Sequence, residues 1–169
     1  SAKYPEYVHI TFRKHYEDIK AFSTKLLSMG LQGKRIALIS HNKYQWPVSY
    51  MAINTGDMVV VPLDYLLPEN EIENLLIRSQ AEAIIFDGKF LSTFQSIKEK
   101  NKTNLKYYIC MDNLEDFTKY GDILNKGKKL LDLCITEQNV INKKNNSLEN
   151  SKENKNEVKD SKLKSKLDG

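Results

Sequence analysis

WPVSYMAINTGDMVVVPLD, Trp46 to Asp64, is the stretch whose reading decides the fold. Trp46 to Thr55 is apolar almost all round, as expected of a helix packed on both sides. Gly56 stands where a left-handed residue commonly closes a helix, a conformation that glycine adopts without steric cost. Met58 to Val61 is an unbroken apolar run, and its β-branched valines predict a strand buried on both faces. Pro62 has no N–H to donate and ends the ladder. Helix, glycine, strand and proline together make one α-to-β step of a parallel sheet.

Working outward, the same alternation repeats. Upstream, Tyr7 to Thr11 alternates like a short strand, and Thr11 suits the N-cap of a following helix. That helix carries Tyr16, Ile19, Phe22, Leu26 and Met29 as one apolar stripe and closes at Gly30, with Leu31 folding back beneath it. RIALIS, Arg35 to Ser40, reads as the first core strand. The next helix starts either at an Asn42–Gln45 capping box or at Trp46, and the second start seats Pro47 more easily.

Downstream, Pro68 opens a helix with Glu69 and Glu71 in its positive first turn, and Ile72, Leu75, Leu76 and Ser79 share a face. AIIF, Ala83 to Phe86, is a third strand. Phe90, Phe94 and Ile97 stripe a third helix, and KYYIC, Lys106 to Cys110, is a fourth strand. Asp116 to Leu133 reads as one or two short helices. Four strand–helix alternations with short connections predict a doubly wound parallel α/β sheet with right-handed crossovers.

The chain has 169 residues, and all sixteen of its aromatics lie between Tyr4 and Tyr120. Residues 137–169 are mostly Asn, Lys, Glu and Ser, a composition that buries too little apolar surface to offset ordering, so a disordered tail follows a folded part of 1–136. The net charge of +4 is spread over both parts, which argues against a nucleic-acid footprint. Cys110 and Cys134 both sit in apolar surroundings and read as buried reduced thiols. No apolar run is long enough to span a membrane. The opening Ser1-Ala2-Lys3, without a methionine, implies an excised or processed segment, which should expose an apolar patch and self-associate.

Tests for chemistry return little. The loop after the first strand, Ser40-His41-Asn42-Lys43-Tyr44, has no glycine, so a pyrophosphate has no close approach to its backbone. Asp64 lies where a ribose-binding acid would, but without those glycines the spacing means nothing. Asp87 follows a strand as a phosphoacceptor does, yet no acidic cluster after the first strand would hold Mg²⁺, and Asp87-Gly88 reads as a turn. His9, His15 and His41 are too scattered for a metal site. His41 alone falls at the carboxyl edge of the sheet, where open α/β folds bind ligands. The lysines from Lys98 to Lys102 read as solvated surface. No catalytic, cofactor-binding or metal residue is assigned from spacing.

A resemblance adds what spacing does not. INTGDMVVVPLD, Ile53 to Asp64, resembles the second core motif of the AMP-forming acyl-CoA synthetase and adenylation-domain superfamily, Ala/Lys-Ala-Gly-x-x-x-x-Pro-x-Asp. ITFRKHYEDI, Ile10 to Ile19, is similar to the family's Leu-Thr-Tyr-x-Glu-Leu, with Lys14 replacing the glutamate that completes a capping box. LLSMGLQGKRIALIS, Leu26 to Ser40, follows the helix, Leu-Gly-Leu, glycine-turn and strand pattern. NKYQW, Asn42 to Trp46, resembles Asn-x-x-Glu-Trp with Gln45 for the glutamate, and LPENEIENLLIRSQAEAIIF, Leu67 to Phe86, matches the helix and strand after the second motif. Asp57 departs from the small residue usual after that glycine.

The resemblance covers roughly 7–130 and is nearest the fatty acyl-CoA synthetase branch. It implies an enzyme that activates a fatty acid with Mg·ATP to an acyl-adenylate and passes it to coenzyme A. The implied setting is cytoplasmic, with peripheral membrane contact open and the remaining subdomains of the same chain as partners. The family's phosphate loop ending in Pro-Lys, its Tyr-Gly-x-Thr-Glu segment, its ribose aspartate and its C-terminal lysine do not occur here. Thr11, Gly56, Pro62 and Asp64 therefore mark the fold rather than the chemistry, and the segment alone is expected to be inactive. The alternative is a free-standing α/β interaction or regulatory domain.

Overall fold

Four mostly apolar runs of four or five residues and the short Thr118–Lys119 form a five-stranded, wholly parallel sheet. A computed structural model describes the backbone at residues 9–112 and 114–167, and side chains as far as 145. The elements run α1 Phe12–Ser28, β1 Arg35–Ile39, α2 Gln45–Thr55, β2 Val59–Pro62, α3 Glu69–Ser79, β3 Ala83–Phe86, α4 Leu91–Lys100, β4 Tyr107–Cys110, β5 Thr118–Lys119 and α5 Tyr120–Leu167. The strand order is β2-β1-β3-β4-β5, every neighbouring pair parallel.

The two-residue period of β1 sorts its side chains between two cores. Ile36 and Leu38 join Phe22 and Leu26 of α1 and Val48 and Ile53 of α2 on one face. Ala37 and Ile39 join Ile72 and Leu76 of α3 and Phe94 and Ile97 of α4 on the other. Helices thus cover both faces, as the alternation of elements predicts.

Local rules hold at both ends of α1. The Thr11 hydroxyl accepts the Lys14 N–H at 3.2 Å and caps α1. Gly30 takes φ +78° after α1, and the Leu31 N–H donates to the Leu26 carbonyl at 3.3 Å while its side chain is buried. Pro47 falls in the first turn of α2, which begins at Gln45 without a side-chain cap, so the Asn42 capping box does not form.

Several expectations are corrected. Gly56 is not left-handed. Its φ is −94°, and Asp57 takes the left-handed turn at φ +56°. Glycine is needed at 56 for space, because a Cβ there would collide with the Ser23 hydroxyl of α1, lie 2.5 Å from Met58 Cε and 3.0 Å from the Ala52 carbonyl. Gly56→Ala should therefore cost about 1–3 kcal/mol in chemical denaturation. Gly56→Asn, which a left-handed cap would tolerate, should cost at least as much, and a neutral result would restore the cap reading.

β2 is not buried on both faces. It is one edge of the sheet, and Val59 is 49% exposed, because no described strand lies beyond it and Pro62 is suited to an edge. Cys110 is buried but Cys134 is exposed, on a stretch of α5 whose described residues from 132 onward are all exposed. Asp116 to Leu133 opens with the short strand β5 before α5, because Phe117 is drawn into the core beside Phe86. Of the expected strand at Tyr7 to Thr11, His9, Ile10 and Thr11 are not strand, while Tyr7 and Val8 lie outside the described residues.

The chain divides into two compact units, Ser1–Leu131 and Asp132–Gly169. Within the first, Gly127 of α5 lies so close to α1 that a Cβ would sit 2.6 Å from the Ala21 carbonyl carbon. In the second, the backbone is helical to Leu167, where the sequence predicts a disordered tail from 137, and residues 132–145 are exposed throughout. Bonds there include that of the Thr136 hydroxyl to the Asp132 carbonyl at 2.8 Å. Exposed apolar residues of the first unit include Met51, Val59, Tyr65 and Leu66. No described helix is long and apolar enough to cross a membrane.

Candidate functional site

Register brings the carboxyl ends of three strands together. Ile39 pairs with Phe86 and Phe86 with Cys110, so polar residues one or two positions beyond them, His41, Asp87 and Asp112, meet at one edge. Asp87 is fully buried. Its Oδ2 accepts the His41 backbone N–H at 2.7 Å and faces His41 Nδ1 at 2.9 Å, and its Oδ1 accepts the Lys89 N–H at 2.9 Å. Three donors on one carboxylate offset the cost of burying it. The sequence reads Asp87-Gly88 as a simple turn. The turn is there, a 3-10 turn at Gly88–Phe90, but Asp87 also anchors the loop after β1.

One strand further, Lys43 Nζ reaches both Asp112 oxygens at 2.6 and 2.7 Å, and Asp112 Oδ2 accepts the Gly88 N–H at 2.6 Å. Burial by itself raises the Asp112 carboxyl, but the Lys43 hydrogen bond, the Gly88 N–H and the lysine charge outweigh it and hold it below the usual carboxylate range. Gly88 permits this approach, since a Cβ there would lie 2.7 Å from Asp112 Oδ2. Burial pushes the neighbouring Cys110 thiol up, so it is a packed, unreactive group.

Above these pairs lies a cleft of about 500 Å³ lined by His41, Lys43, Trp46, Pro47, Leu63 and Tyr65. The His41 ring packs 4.7 Å from Tyr65 and 5.9 Å from Phe90. The other histidines are elsewhere. His9 precedes α1, and His15 lies 5.6 Å from the Tyr44 ring. Among the described residues no group of three or more His, Cys, Asp or Glu is placed to hold a metal.

A second polar cluster, unread from the sequence, lies at the start of α2. Asp18 of α1 is 1% exposed and takes Lys14 Nζ, Lys128 Nζ at 3.1 Å and the Tyr44 hydroxyl at 3.2 Å. Burial raises Asp18, but the two lysines more than reverse it and hold it below its usual range. Burial, then the Asp18 charge, push the Tyr44 hydroxyl up to about 12. Tyr120, stacked 4.3 Å from Phe22, is also raised by burial. The cluster joins α1, α2 and α5 and has the character of a structural network.

The chain has relatives. Over 121 residues, 70% of its length, it is 35% identical to a long-chain-fatty-acid–CoA ligase of Salmonella typhimurium. It is 32% identical over 133 residues to the ligase of that name in Haemophilus influenzae. It spans about one fifth of the length of these curated relatives. Among solved structures, 75% of the chain superposes on a quarter of a long-chain-fatty-acid–CoA ligase from Archaeoglobus fulgidus, at a TM-score of 0.64 and 17% identity, which speaks to the fold. In a separate superposition, 69% of the chain covers 24% of the coronafacic acid ligase of Pectobacterium brasiliense at a TM-score of 0.62 and 26% identity. The family model of the AMP-binding enzymes matches residues 2–162. Nearly the whole chain is thus accounted for, and it belongs to the AMP-binding enzyme family.

Proposed function

We propose that this chain is the N-terminal part of an AMP-forming fatty acyl-CoA synthetase. The complete protein joins a fatty acid to ATP with release of pyrophosphate, then transfers the acyl group from AMP to the thiol of coenzyme A. The observation that carries this reading is the 35% identity over 121 residues to a long-chain-fatty-acid–CoA ligase. Residues 1–136 form the N-terminal subdomain, and 137–169 are a low-complexity segment. ATP, Mg²⁺, fatty acid and coenzyme A are bound by the complete protein, in a cytoplasmic setting that allows peripheral membrane contact, and nucleic acid is not a partner.

The carboxyl-edge residues do not fit a nucleotide triphosphate. Their loop lacks glycine, Lys43 is neutralised by Asp112, and Asp87 already serves three donors. The segment contributes the sheet on which the remaining subdomains are built.

The test is fatty-acid-dependent exchange of labelled pyrophosphate into ATP. The isolated chain should show none, and the longer protein should exchange with a long-chain fatty acid. Robust exchange by the isolated chain, or none by the longer protein with any fatty acid, would overturn the reading.

A further inference from the structure

His41 has two ring nitrogens in different situations. Nδ1 faces the Asp87 carboxylate at 2.9 Å, and that carboxylate already accepts two backbone N–H groups. In the neutral imidazole an acceptor so placed holds the proton on Nδ1 and leaves Nε2 with its lone pair. Nε2 has no hydrogen-bond partner among the described residues, while the His41 side chain is 35% exposed and lines the cleft. The nearby lysine adds no free positive charge, because Lys43 is held by both oxygens of Asp112. The charge behind the ring is therefore the negative Asp87, and an anion gains nothing by approaching Nε2. An uncharged hydrogen-bond donor does.

The remaining walls define the rest of the occupant. Trp46, Pro47, Leu63 and Tyr65 present mostly apolar surface. We propose that this cleft binds an amphipathic molecule with an uncharged donor head, a hydroxyl or thiol, on His41 Nε2 and an apolar body against Trp46 and Tyr65. Asp87 is a positioning residue in this arrangement. It sets the tautomer of His41 and holds the ring against the cleft wall.

The experiment uses the full 169-residue chain and two isomeric probes, n-hexanol and methyl pentyl ether, which share composition and differ in the donor. Trp46 is the only tryptophan and gives a single indole N–H signal for titration by NMR. The alcohol should bind about tenfold more tightly than the ether, the worth of one well-made hydrogen bond in a partly desolvated site. His41→Phe keeps a ring beside Tyr65 and Phe90 and should abolish that preference. Tyr65→Ala should weaken both probes equally and keep the preference. n-Hexanethiol should follow the alcohol, and octanoate should be the poorest ligand. Equal binding of alcohol and ether by the unaltered chain, a preference that survives His41→Phe, or no saturable binding of either probe would each overturn the proposal.

Discussion

Phe86→Ala is expected to lower unfolding stability by about 3–5 kcal/mol, the range for emptying a buried aromatic site. Phe86 is the last residue of β3, fully buried, with Phe94 4.4 Å away in a tilted pair and Phe117 5.2 Å away edge-on. Three elements, β3, α4 and the segment entering β5, meet on that one ring. Alanine would leave a void lined by Phe94 and Phe117, and β4 holds the neighbouring backbone in register with Cys110, which limits collapse. Leu66→Ala is the matched control. Leu66 is 75% exposed, so its loss should stay within about 0.5 kcal/mol. Urea denaturation of both variants measures the difference. A Phe86→Ala cost below about 1 kcal/mol would mean that the α3 and α4 side of the sheet is not a packed core.

The second large effect is electrostatic. Asp18→Asn should cost about 2–3 kcal/mol at neutral pH, because it removes a buried charge that serves two lysines and a phenol. In the folded chain Asp18 is held below its usual value of 3.8. A carboxyl depressed on folding contributes its full stability above the unfolded value. That contribution is lost as pH falls from about 5 through and below the ordinary carboxylate range. Thermal unfolding between neutral pH and pH 3 should therefore show a falling acid limb that Asp18→Asn makes shallower. Asp112 is depressed too, so part of the limb should remain. An acid limb identical in both proteins would remove Asp18 from the account.

Most of the sheet was legible because its strands are short apolar runs between strong turn signals. Arg35–Ile39 and Ala83–Phe86 need no knowledge of the rest of the chain. Gly56 was not legible in the same way. Its conformation is ordinary, and the demand for a missing side chain comes from Ser23, on another helix. Three consecutive valines look alike in the middle and at the edge of a sheet, so only Pro62 hinted that β2 lies outermost. The carboxyl-edge pairs depend on strand order. His41 and Asp87 are 46 residues apart, and Lys43 and Asp112 are 69 apart, so no local pattern joins them. One signal was available. In a parallel sheet, polar residues just after neighbouring strands converge, and reading one or two positions past each strand end would have found His41, Asp87 and Asp112.

Whether this segment belongs to a longer adenylate-forming ligase is decided by reading the transcript on both sides of it. A Ser/Thr/Gly-rich loop ending in Pro-Lys is expected soon after Gly169, with a Tyr-Gly-x-Thr-Glu segment further on. A stop codon soon after Gly169, with neither motif in frame, would contradict it and leave a synthetase-like fold without its chemistry.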